Sequence, residues 1–152
     1  MVKIDVESIG QQIQRNAVAL ISLAIALASL GYNTWRNETT EHQRNTRHAA
    51  FEIVEQLGEL QANANQLAYF GETGNNSAWN QGWGNVLSIR TLGQLLSGDV
   101  PAETESLFQV WSEQVGSLDA EDSTRRDAAD RAVTEQIRRT NQAVIDLLRG
   151  LD

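Results

Sequence analysis

The 152-residue chain has no cysteine, one proline, two histidines and only 6% aromatic residues. Without cysteine there is no disulfide framework and no thiolate metal site, although this absence selects no redox compartment. With Pro101 as the only proline, long stretches are free of the residue that breaks helices most severely. The recurrent valine, threonine and aromatic residues with regular turn signals that mark a sandwich or barrel are missing too. Positive charge is in deficit: 12 lysines and arginines against 20 acids leave a net charge of −8. Lys3, Asp5, Glu7 and Arg15 cancel within the first 35 residues, so the whole excess lies downstream. Such a domain repels phosphate backbones, which excludes a nucleic-acid partner. The length suits one ordinary domain.

Reactive constellations are equally scarce. The stretch Gly71–Gly84 lacks the Gly-Lys-Ser/Thr ending of a phosphate-binding loop, and no strand pattern precedes it. There is no Gly-x-Ser-x-Gly elbow. His42 and His48 are six apart and fall on different helical faces. Glu38 with His42, and His48 with Glu52, are four apart and each offer two ligands, and Glu55 and Glu59 add carboxylates. A diiron bundle site needs two Glu-x-x-His motifs, and the chain has none. The expectation is no enzyme, no cofactor, no metal and no small-molecule substrate.

What the chain does have is an uncharged apolar run, AVALISLAIALASLG, at residues 17–31. Extended to residues 16–35 it is about 20 residues, enough to cross about 30 Å of hydrocarbon. Tyr32 and Trp35 lie at one end, where amphipathic rings favour the headgroup zone. Arg15 and Arg36 bracket the run, with stems long enough to carry their charges to water. These four residues are the expected membrane anchors. Small residues four apart, Ser22 with Ala26 and Ala24 with Ala28, let a second helix approach closely. A cleaved signal peptide competes, since Ala26-Leu27-Ala28 is a small-x-small site. Against it stand Asp5 and Glu7 in the leading segment and an apolar pattern that continues past the site. A helix buried in a core also competes, but the run is apolar all round and little else in the chain is large enough to enclose it. Basic residues near the two ends balance closely, so the side of the membrane stays open. Val2, Val6, Ile9 and Ile13 make residues 1–15 a short amphipathic tail.

Residues 36–152 read as an acidic helical bundle. One helix is expected from about Gln11 to Phe70. Ala50, Ile53, Leu57, Leu60, Ala64 and Leu67 alternate three and four apart. Phe51 and Val54 widen that stripe, while Gln43 and Thr46 on the same register make the stem weakly packed or solvated. Residues 71–84 read as a loop holding Trp79 and Trp83. A short helix follows over roughly 83–97, with Val86, Leu87, Ile89, Leu92, Leu95 and Leu96 apolar. Gly98 suits a helix end and Pro101 the first turn of the next helix. That helix turns Leu107, Val110, Trp111, Val115 and Leu118 inward, with a break at Gly116 and Ser117. The last helix, about 119–149, carries Val133, Ile137, Val144, Leu147 and Leu151 on one stripe. Its solvated face pairs Glu121–Arg125, Asp122–Arg126, Asp127–Arg131 and Glu135–Arg139, each worth a few tenths of a kcal/mol. The Ala50–Leu67 and Val133–Leu151 stripes are expected to pack antiparallel. The fold class is therefore all-α: a transmembrane helix continuing into a long amphipathic helix, packed with two or three more as a small bundle.

The segments YNTWRNETTEHQRNTRHAAFEI and GWGNVLSIR resemble a group of uncharacterised bacterial proteins with one N-terminal span and a helical tail. The resemblance covers most of the chain. It implies a single-pass protein of the cell (inner) membrane and contributes no functional residue. The expected role is a membrane-anchored scaffold or accessory subunit that touches lipid and either self-associates as a homo-oligomer or docks on a membrane-protein complex. Ser22, Ala26, Trp79 and Trp83 are the candidate contact residues; tryptophan anchors interfaces, but Trp79, Trp83 and Trp111 equally suit capping of the bundle core. The alternative is a helical-bundle sensory or signalling module tethered to the membrane, although the single apolar run disfavours a two-span receptor.

Overall fold

The computed structural model describes residues 15–70 and 77–151. Among them there is no strand; the elements are α1 (Ala17–Asn65), a π-helical turn (Gln66–Phe70), α2 (Ser77–Gly93), α3 (Val100–Gln114), a 3-10 turn (Val115–Ser117) and α4 (Ser123–Arg149). The chain divides into two compact units, Met1–His42 and Gln43–Asp152, with α1 contributing to both. Residues 1–14, including the expected amphipathic tail, lie outside the description.

The described part of the first unit is helical and exposed throughout, apart from half-buried Ala17. The second unit is a four-helix bundle. Its core takes Ala50, Ile53, Leu57, Leu60, Ala64 and Leu67 from the α1 stripe and the turn after it. From α3 and its end it takes Leu107, Trp111, Val115 and Leu118, and from α4 Ala129, Val133, Ile137 and Val144. The spacing read in the sequence is thus the spacing that is buried. Neighbouring helices run antiparallel. Gly82 and Gly93 of α2 meet Trp111 and Thr104 of α3 in reverse order. Glu103 accepts from Thr140 and Gln136 at one end of α3 and α4, while Arg125 donates to Ser117 at the other. Arg47 donates to the Leu151 carbonyl at 3.2 Å, and Gln61 to Thr134 at 3.0 Å, so α1 and α4 pack antiparallel as their stripes require.

Helix boundaries follow local chemistry. Gly98 adopts φ 69°, which a residue with a Cβ resists, and Pro101 stands in the first turn of α3. The 3-10 turn falls at the expected break. The last helix starts at Ser123 rather than at about 119, because Asp122 is extended and its carboxylate accepts from the Thr124 N–H at 2.9 Å. Such a cap contributes about 1 kcal/mol.

Several expectations change. Residues 77–84 are helical, so Trp79 and Trp83 sit on α2 and not in a loop. Thr46 is buried and Gln43 half-buried, so packing of the stem begins a turn earlier than their polarity implied. Phe51 is 62% exposed and Val54 37% exposed; they face water instead of widening the stripe. Leu87 and Leu95 are also exposed. Of the four expected charge pairs on α4, Glu135–Arg139 closes, at 3.0 Å. Asp122 is occupied in capping, and Arg125 and Arg126 reach back to Ser117 and the Ala120 carbonyl. Hydrogen bonds from Arg138, then Arg139, hold the Glu135 carboxyl down at about 2.

Candidate functional site

Two regions offer functional surface. The first is the apolar run itself. An 18-residue window within the helix Ala17–Phe70 has a mean hydropathy of 1.7, and none of it is buried. Ile21, Leu23, Ile25, Leu27 and Leu30 are between 56% and 65% exposed. Exposing that much hydrocarbon to water is unfavourable by about 25 cal/mol for each Å². The helix is long and apolar enough to cross a membrane. Two of its hydroxyls are satisfied within the helix: Ser22 donates to the Val18 carbonyl at 2.8 Å and Thr34 to the Leu30 carbonyl at 3.0 Å. In hydrocarbon, polar groups need such internal partners. Tyr32 and Trp35 lie on one side of the helix with ring centroids 6.1 Å apart, and both are exposed, as are Arg15 and Arg36. The candidate contact residues Ser22 and Ala26 are exposed as well.

Trp79 and Trp83 are half-buried and pack against the bundle core. Trp83 meets Phe108 edge-on at 6.2 Å, and Arg90 lies 4.2 Å over the same Phe108 ring while pairing with Glu105. Trp83 is thus one member of a cluster along the α2–α3 seam. Trp111 is fully buried. Its indole lies against Gly82, and its N–H has no partner among the described residues.

The second region was not singled out in the sequence. Between α1 and α2 lies an open polar groove of about 690 Å³, lined by carboxamides, by Glu59 and by the small residues Ala62, Gly84 and Ser88. Its floor is Asn85, 6% exposed. The Asn85 amide donates to Gln56 Oε1 at 2.6 Å and Glu59 Oε2 at 2.7 Å, and its Oδ1 accepts from Asn63 at 3.1 Å. A buried amide is costly unless satisfied, and this one is. Polar residues at core positions are a known means of setting helix register. The signal available in the sequence was Asn85 itself, adjacent to Val86 and four residues before Ile89 on an otherwise apolar stripe.

No group of three or more histidines, aspartates and glutamates converges to hold a metal among the described residues. His42 and His48 are exposed. The π-helical turn rotates the chain so that Leu67 and Ala68 are both buried and the Tyr69 hydroxyl donates to Asp130 at 2.7 Å. That bond, followed by the Asp130 charge, raises the Tyr69 pKa above 10.0. The stabilisation from the bond is therefore complete below the ordinary phenol value and is lost as pH rises through the higher, folded one. Titration at 295 nm should show one of the two tyrosines ionising late. Tyr69→Phe should remove that component, and Asp130→Ala should return it to the ordinary value. A late component unchanged by Asp130→Ala would mean the bond does not form.

Comparison with protein-family models, with curated proteins and with solved structures finds no match for this chain.

Proposed function

We propose that the protein is a single-pass, membrane-anchored interaction protein, a scaffold or accessory subunit whose bundle is held at the cell membrane by residues 16–35. One observation carries this reading: the apolar run is helical, long enough to span and exposed on every side. A helix belonging to a soluble core would have buried one face. The contact role rests on the span. Ser22 and Ala26 let a second helix pack closely there, so the partner is either another copy of this chain or a spanning subunit of a larger complex. Trp79 and Trp83 are the corresponding candidates on the bundle, each half-buried and so half-presented.

The test is extraction in mild detergent followed by mass spectrometry of the intact assembly. The expected result is the uncleaved chain in a fixed stoichiometry with itself or one partner, and loss of that stoichiometry in Ser22→Leu/Ala26→Leu. A lone monomer overturns the scaffold reading. A chain shortened after Ala28 overturns the anchor.

A further inference from the structure

The α1–α2 groove has a chemistry that its role in packing does not require. A buried asparagine that only set helix register would be closed over by its neighbours. Here the groove above Asn85 stays open, because the residues at its mouth are small: Ala62 on α1, and Gly84 and Ser88 on α2. A Cβ placed on Gly84 would meet nothing within 4 Å.

What sets the groove apart is a single uncompensated carboxylate beside neutral carboxamides. Each of its four carboxamide nitrogens donates inside the protein. Asn85 gives to Gln56 and Glu59, Asn63 to Asn85, Gln56 to Glu52 and Gln81 to Ser77. Among the described residues, three carboxylate or carboxamide oxygens of the lining receive nothing, Glu59 Oε1, Asn63 Oδ1 and Gln81 Oε1, and the Ser88 hydroxyl is also unbonded. Among the described residues Glu59 is the only ionisable one in the lining, and no described lysine or arginine is there to neutralise it. Asn85 fixes one oxygen of that carboxylate from beneath, so the other is oriented without any ligand present. The groove thus offers one charged and two neutral acceptors on a rigid floor.

We propose that this groove binds a small organic cation, an amine or guanidine whose N–H donors are shared among Glu59, Asn63 and Gln81. An anion would meet the Glu59 carboxylate, and an apolar molecule would strand the free oxygens. A divalent metal ion is poorly served, because Ca²⁺ and Mg²⁺ want six or more oxygens and usually more than one carboxylate. A primary ammonium carries three N–H donors and a substituted guanidinium five, enough to engage all of these acceptors. The inference stands independently of the membrane reading, since every residue it uses lies in the bundle.

The test uses the full chain in phosphatidylcholine nanodiscs, whose lipids carry no net charge, titrated with agmatine at constant ionic strength. Side-chain amide resonances of Asn63, Gln81 and Asn85 should shift saturably. Glu59→Gln, which keeps the shape and the acceptor for Asn85, should weaken binding at least tenfold. Glu55→Gln, on the same helix but outside the groove, should change it less than twofold. Ala62→Leu, which fills the mouth from an exposed position without touching the polar network, should weaken binding more than fivefold. Shifts that never saturate, or equal losses from Glu55→Gln and Glu59→Gln, would overturn the proposal in favour of diffuse attraction to an acidic domain. Displacement of agmatine by an equal concentration of calcium chloride would overturn it in favour of a metal.

Discussion

Gly82→Ala and Gly93→Ala should each destabilise the bundle by about 2–3 kcal/mol, the upper part of the range for overpacking a filled core. A Cβ on Gly82 would fall 2.3 Å from Cζ2 of Trp111, and one on Gly93 would fall 2.2 Å from Oγ1 of Thr104. Trp111 and Thr104 are both completely buried and have nowhere to turn. The new methyl group must therefore push α2 and α3 apart along the seam that also carries Trp83, Phe108 and the Arg90–Glu105 pair. The intrinsic helix preference of alanine over glycine, about 1 kcal/mol, works in the opposite direction and is outweighed. Gly58→Ala isolates that preference. Gly58 is exposed in the middle of α1, and its added Cβ would meet nothing within 4 Å, so this variant should gain about 0.5–1 kcal/mol. Urea or thermal unfolding of the full chain in micelles measures all three. For a domain of this size, the two destabilised variants should melt roughly 10 °C lower. Gly82→Ala behaving like Gly58→Ala would show that α2 and α3 are not in close contact.

Leu23→Arg combined with Ile25→Arg should release the protein from the membrane. Each charge at the centre of a span costs about 2.5–3.5 kcal/mol on insertion scales, and two together roughly cancel the preference of the apolar run for lipid. The expected outcome is a chain that no longer sediments with membranes after carbonate washing, while its bundle unfolds at the same urea concentration as before. Unchanged bundle stability is expected because both side chains are exposed and belong to the other compact unit. The alternatives give different patterns. A soluble helix packed in its own core would lose stability on substitution. A cleaved leader would yield a mature chain of identical mass in both proteins.

The parts of this molecule legible in the sequence share a physical basis: they depend on a residue's position in its own helix. The stripe from Ala50 to Leu67 was readable because burial of one helical face imposes a spacing of three and four. The turn at Gly98 and the start at Pro101 were readable because each residue restricts its own backbone. The π-helical turn at Gln66–Phe70 and the capping by Asp122 shifted boundaries by a few residues, since a polar run offers several possible ends and tertiary contacts choose among them.

What misled was composition. Residues 77–84 are rich in glycine and asparagine and read as a loop. Yet Gly82 is a helical residue, and its lack of a side chain is what admits the Trp111 indole. Glycine frees the backbone in a loop and removes bulk in a packed helix, and only the neighbour across the interface tells the two apart. The same holds for Thr46, polar but buried, and for Phe51, apolar but exposed.

By itself, then, the sequence determined the helical class, the apolar run and its aromatic and basic flanks, and the faces of α1, α3 and α4 that turn inward. Each follows from periodicity or from local backbone restriction, both of which are properties of neighbouring residues. The tertiary structure alone decided that Trp79 and Trp83 belong to a helix, that α2 rests on α3 through two glycines, and that Asn85 gathers Gln56, Glu59 and Asn63 around an open groove. Those features depend on pairs of residues 11 to 29 positions apart, brought together across helix seams that no local pattern encodes.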